Sequence, residues 1–140
     1  MKKIAEKFRR PSLKKISLLL LILAAVGIAI YFSTEYITVK QAKAKAIEQL
    51  KLVNKSQFKE AYGLSCADFK ERTSARRFEA ISKGALKNRA IIFTVGEKSG
   101  SSVQLRGAIT TTKVSAPLSY TLRKEASGWC VSGIDITVKK

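Results

Sequence analysis

From Ile16 to Phe32 the chain reads ISLLLLILAAVGIAIYF, a run without one charged residue. A stretch this long and apolar reads as a membrane-spanning helix. At about 1.5 Å per residue it covers roughly 26 Å, slightly short of a hydrocarbon core of about 30 Å. Continuing through Ile37 closes that gap and places Tyr31, Phe32 and Tyr36 where interfacial aromatics gather. Upstream lies MKKIAEKFRRPSLKK, in which Lys2, Lys3, Lys7, Arg9, Arg10, Lys14 and Lys15 stand against the single Glu6. Lys and Arg beside a span mark the cytoplasmic side, and anionic lipid head groups attract such residues by roughly 1 kcal/mol each. The expected layout is a basic, lipid-facing cytoplasmic tail at 1–15, a transmembrane signal anchor at 16–37 and an extracytoplasmic domain at 38–140. That describes a single-pass protein of the inner (cytoplasmic) membrane with its N-terminus inside.

The competing reading is a cleaved signal peptide, because Gly27-Ile28-Ala29 offers small residues for cleavage after Ala29. Against it, the apolar run continues through Ile30, Tyr31 and Phe32. No Cys follows closely, which argues against a lipoprotein signal.

The formal charge of +17 arises from 27 basic and 10 acidic residues. Part of it belongs to the tail and needs no nucleic acid to explain it. Downstream, Lys and Arg are scattered without the aromatic interleaving of a stacking platform, so nucleic acid is not an expected partner. The basic stretch from Arg72 to Arg77 reads as a solvated helix face, and Arg123-Lys124 as a hairpin end. About a hundred residues beyond the anchor suffice for one modest core. Cys66 and Cys130 either form one intramolecular disulfide in an oxidising compartment or remain two separate buried thiols. With no His in the chain, two thiols cannot complete a zinc site, and neither metal nor cofactor is expected.

Periodicity divides the remainder. Val39, Ala42, Ala46, Ile47, Leu50 and Val53 recur at helical steps from Glu35 to Val53. A short helix carries Phe58, Ala61 and Tyr62 and stops at Gly63. Ser65 precedes Asp68 as an acidic form of the capping box, opening a turn that holds Phe69. Thr73 and Ser74 offer a further cap, for a helix whose inner face is Phe78, Ile81 and Ala85. From Arg89 the period becomes two. Ile91, Phe93 and Val95 alternate, Gly96 to Ser102 supplies a turn, and Val103, Leu105, Gly107 and Ile109 form a second strand. Val114, Ala116, Leu118, Tyr120 and Leu122 form a third, where Pro117 argues for an edge or a bulge. In the fourth, Trp129 and Val131 have one parity and Ile134, Ile136 and Val138 the other. A bulge near Ser132-Gly133 would restore one face and turn Cys130 away from it, which weakens the case for a disulfide; without a bulge, Cys130 joins Ile134 and Trp129 faces out, and the spacing allows either. Helices ahead of consecutive strands predict an α+β domain, with helices packed on a curved antiparallel four-stranded sheet.

The pattern AYGLSCADFKERTSARRFEAI, followed by YTLRKEASGWCVSGIDI, resembles the nuclear transport factor 2-like (cystatin-like) superfamily. It is similar above all to small membrane-anchored bacterial members of unassigned function. Tyr62, Leu64, Ser65, Phe69, Thr73, Ser74 and Phe78 match the first motif; Gly128, Trp129, Val131, Gly133, Ile134 and Ile136 match the second. The resemblance spans roughly Val39 to Val138 and implies a cone-shaped fold enclosing a pocket between sheet and helices. Some relatives are isomerases or dehydratases that use Asp, His or Tyr there. Others are dimerisation or assembly modules, including an inner-membrane component of type IV secretion machines. The matched positions are core and cap residues and transfer no chemistry.

No enzyme is expected. Asp68, Asp135, Tyr62 and Tyr120 are the candidate acid–base groups, and neither Ser65 nor Cys66 has a His to activate it. The leading expectation is a non-catalytic interaction or assembly module, bound to an envelope or secretion-machine protein or to a second copy through the open sheet face. The alternative is a sensor of a small envelope ligand in a pocket lined by Tyr62, Phe69, Phe93, Tyr120 and Trp129. A broad apolar patch on the sheet would favour the former, and a lined pocket with an unsatisfied polar group the latter.

Overall fold

The computed structural model describes residues 13–111 and 115–137. Lys2, Lys3, Lys7, Arg9 and Arg10 of the tail, and Val114 and Val138 of the expected strands, lie outside them. Helix α1 (Leu13–Asn54) is followed by α2 (Phe58–Gly63), α3 (Ala67–Arg72), α4 (Ala75–Ile81) and a π-helical turn (Ser82–Leu86). Four strands complete the chain: β1 (Ala90–Ser99), β2 (Ser102–Thr110), β3 (Ser115–Glu125) and β4 (Gly128–Ile136). They form one antiparallel sheet in the order β1-β2-β3-β4, curved and unclosed. The architecture is α+β, as the change of period predicts. Residue contacts divide the chain into one unit ending at Thr34 and another beginning at Glu35.

In the first unit the apolar side chains from Ile16 to Phe32 are exposed. Its most apolar window has a mean hydropathy of 2.6, so this one helix is long and apolar enough to cross a membrane.

The second unit holds the core. From α1 it receives Ala42, Ala46 and Val53, with Val39 and Leu50 partly buried at the margin. Two expectations shift by one helical position. Ile47 is 37% exposed, while Gln49 is fully buried and donates to the Ala61 carbonyl (3.0 Å) and to Ser65 Oγ (3.3 Å). Ser65 is therefore not a helix cap; Cys66 takes the cap position of α3 without a side-chain bond. Ser74 does cap α4, accepting from the Arg77 N–H at 3.3 Å. Beyond α4 the π turn rotates the inner face. Phe78, Ser82 and Leu86 point inward, whereas Ile81 is 39% exposed. One additional residue per turn shifts every later side chain around the axis.

The sheet departs from simple alternation at two bulges. In β1, Phe93 pairs with Gly107 and Val95 with Arg106, leaving Thr94 as the extra residue. Val95 consequently leaves the core face and is 46% exposed. The ladder then continues through Gly96, Glu97, Lys98 and Ser99, so the expected turn at Gly96–Ser102 shrinks to Gly100 and Ser101. Gly96 stays in the strand because a Cβ there would collide with Val39 Cγ1 of α1. In β4 the extra residue is Ser132, between Val131 (opposite Leu122) and Gly133 (opposite Thr121). This brings Val131, Ile134 and Ile136 onto the face of Leu118, Tyr120 and Leu122. Pro117 lies in a central strand, not at a sheet edge. Its carbonyl accepts from the Thr137 N–H (3.1 Å) just beyond the paired part of β4. The nitrogen shares that side, so its missing proton costs little of the ladder.

The bulge does turn Cys130 away from the core face, yet Cys66 and Cys130 form a disulfide, with Cα atoms 5.0 Å apart. The reason is the route taken by residues 64–66. They run along the outer edge of β4, where the Cys66 N–H donates to Val131 O (2.8 Å) and the Val131 N–H to Leu64 O (3.0 Å). Cys66 thus meets Cys130 from the strand edge, and the same segment covers an edge that would otherwise be open.

Candidate functional site

The opposite edge, β1, has no strand beyond it. Between it and the Tyr36–Asn54 part of α1 run two adjoining cavities of about 420 and 350 Å³, which share Lys43 and Phe93. Each lies within the usual size range of a ligand pocket. Together they make one elongated groove. Along α1 it extends over eighteen residue steps, roughly 27 Å at about 1.5 Å per residue.

Helical spacing explains its walls. Val39, Ile47 and Leu50 present apolar surface from α1, and Ile91 and Phe93 answer from β1. Lys40, Lys43 and Lys51 lie on the same flank of the helix, and Arg89 stands at the entry to β1. Lys43 Nζ donates to the Phe93 carbonyl at 3.4 Å, so its stem spans the groove while its charge stays at the rim. Among the described residues lining the groove there is no carboxylate, and none of these four cations forms an ion pair with a described one. Ile92, 61% exposed, lines the second cavity, and Val95 the first.

The five aromatic residues expected to line a common pocket separate into three places. Phe93 is in the groove wall, with Tyr120 behind it in an edge-to-face contact at 5.6 Å. Tyr120 is fully buried and its hydroxyl has no partner, so burial pushes its ionisation above the ordinary tyrosine range. Tyr62 and Phe69 both pack on Phe78, at 5.7 and 6.2 Å, and the Tyr62 hydroxyl donates to the Thr73 carbonyl at 2.8 Å. Trp129 lies beside a separate, more polar cavity of about 380 Å³ near Cys130 and donates to Gln41 at 3.4 Å.

The acid–base candidates are similarly committed. Asp68 is held by Arg123 (3.1 Å) and Arg72 (3.6 Å). Arg123 also donates to Glu125 (2.8 Å), and that bond, followed by Asp68, raises its pKa further. Asp135 is exposed on the outer sheet face. Cys66, Glu125 and Cys130 cluster closely, but both sulfurs are consumed by the disulfide and offer no thiolate. The groove cations escaped the sequence reading because lysines on a helix flank look solvated. Their signal was that the positions four residues from Lys40, Lys43 and Lys51 hold Tyr36, Ala44, Val39, Ile47 and Lys55, with no acidic residue among them.

No protein-family model matches this chain, and no curated protein matches it by sequence. Among solved structures it is similar to a phospholipid-binding protein from Ralstonia solanacearum, determined in complex with a phospholipid. The likeness covers 71% of this chain and 78% of that one, at 12% identity and a TM-score of 0.46. The chemistry of the groove is therefore read from its own residues.

Proposed function

We propose that this protein is a single-pass, membrane-anchored, non-catalytic binding module that holds a small envelope ligand in the α1/β1 groove. The observation that carries this reading is the groove itself: an apolar floor rimmed by four cations, beside a strand edge that no other described strand pairs with. On the outer sheet face, Gln104, Arg106, Ser119, Thr121 and Asp135 make the larger part polar, and the apolar residues Ile92, Val95, Ala108 and Pro117 gather toward the β1 edge, beside the groove. The commitment of Asp68 to arginines and the burial of Tyr120 speak for a non-catalytic role. In this reading Ile16 to Ile37 spans the inner membrane, Lys14, Lys15 and the residues before them are cytoplasmic, and the domain lies outside. The order of helices and strands agrees with the nuclear transport factor 2-like superfamily that the motifs resemble.

The test is a photoreactive amino acid placed at Ile47 of α1, in the groove wall, or at Thr121 on the outer sheet face, in the full-length protein in its own membrane. Adducts from position 47 alone are expected. Adducts from position 121 alone, or equally from both, would overturn the groove and return the interaction module with a protein partner.

A further inference from the structure

We infer that the occupant of the α1/β1 groove is a single anionic membrane lipid, its acyl chain on the apolar floor and its acidic head group among Lys40, Lys43, Lys51 and Arg89. This deepens the binding role proposed above and rests on it.

Shape is the first reason. Two lobes of about 420 and 350 Å³ in line along some five turns of helix suit a long, thin molecule better than a compact metabolite. Polarity is the second. Val39, Ile47, Leu50 and Phe93 offer no hydrogen bonds from their side chains, so the buried part of the ligand must be largely apolar. Charge is the third. Four cations face the groove with no carboxylate among its described lining residues, an imbalance that an anionic head group would offset.

Position in the chain supplies the source. Only three residues separate Tyr36, at one end of the groove, from Phe32, the last residue of the apolar run. Tyrosine at such a place marks the head-group level of a bilayer. An extended peptide added to β1 fits less well, because it needs the strand's outward carbonyls, and Lys43 already occupies that of Phe93.

The experiment uses the full-length chain reconstituted into phosphatidylcholine vesicles. These carry a trace of either phosphatidylglycerol or phosphatidylcholine with a photoreactive group in the acyl chain. Labelled peptides are mapped after illumination. Phosphatidylglycerol is expected to label the segment 89–96 several-fold more than phosphatidylcholine does. Lys43→Gln and Arg89→Gln should each lower that labelling roughly fivefold. Labelling of residues 16–32 by the surrounding bilayer should stay unchanged, which shows that the variants are inserted, and Lys43→Arg should retain the wild-type level. Equal labelling of 89–96 by the two lipids, or labelling confined to 16–32, would overturn the lipid assignment. If position 47 still captured a molecule in the native membrane, the binding role would survive and only the lipid would fall; silence in both would remove both.

Discussion

Tyr120 concentrates the residue-scale physics. Its ring fills the core against Phe93, but its hydroxyl is buried without a partner, a cost of about 1–3 kcal/mol on general grounds. Tyr120→Phe should therefore leave the protein as stable as wild type or more so, by up to about 1–3 kcal/mol in urea unfolding. The pH dependence follows from the raised pKa. The folded state holds its phenolic proton to a higher pH than the unfolded chain, which releases it near pH 10. Wild-type stability should be undiminished by this group below about pH 10 and fall as pH rises beyond it, and Tyr120→Phe should flatten that decline. A decline as steep in the variant would show that the buried phenol is not its source. Gln49 is half satisfied: on the apolar stripe of α1, four residues before Val53, its amide nitrogen donates to Ala61 and Ser65, while its Oε1, like the Tyr120 hydroxyl, is buried without a partner.

At the scale of elements, the two edges of the sheet are managed differently. Residues 64–66 cover the β4 edge and lock it with a disulfide that closes a loop of 64 residues. A covalent link over that distance restricts the unfolded chain and is worth about 2–4 kcal/mol. Replacing both Cys66 and Cys130 by Ala should lower the free energy of unfolding by about that amount, read from the urea midpoint and slope together, the slope rising as the unfolded chain expands. No loss of midpoint would mean that the backbone bonds of Cys66 to β4 suffice. The β1 edge has only Lys43 laid across it, next to exposed Ile92 and Val95. An apolar, open edge strand invites a partner, and a groove lined with cations selects which kind.

At the scale of the whole molecule, the chain divides between Thr34 and Glu35. The buried side chains of the core all lie beyond Glu35, and those from Ile16 to Phe32 are exposed. A fragment beginning at Glu35 should therefore fold without detergent, form the Cys66–Cys130 disulfide and unfold cooperatively in urea. A fragment that aggregated, or lacked tertiary signals in near-ultraviolet circular dichroism, would show that the core needs the apolar segment.

What the sequence determined by itself was local and periodic: the uncharged run, the change from helical to alternating spacing at Arg89, the stop at Gly63 and the cap at Ser74. Each depends on neighbours a few positions apart, where backbone geometry alone decides which side chains share a face. The bulge at Thr94 left no such trace, since Ile91, Phe93 and Val95 read as an unbroken strand, and its effect was to expel Val95 from the core. The π turn after Ile81 was equally silent. Only the tertiary structure decided that Ser132 is a bulge, that Cys66 reaches Cys130 along the edge of β4, that Pro117 sits in a central strand where β3 outlasts its pairing with β4, and that Lys40, Lys43, Lys51 and Arg89 border one groove. Those outcomes depend on residues tens of positions apart, and which surfaces are covered is settled by packing that no local spacing encodes.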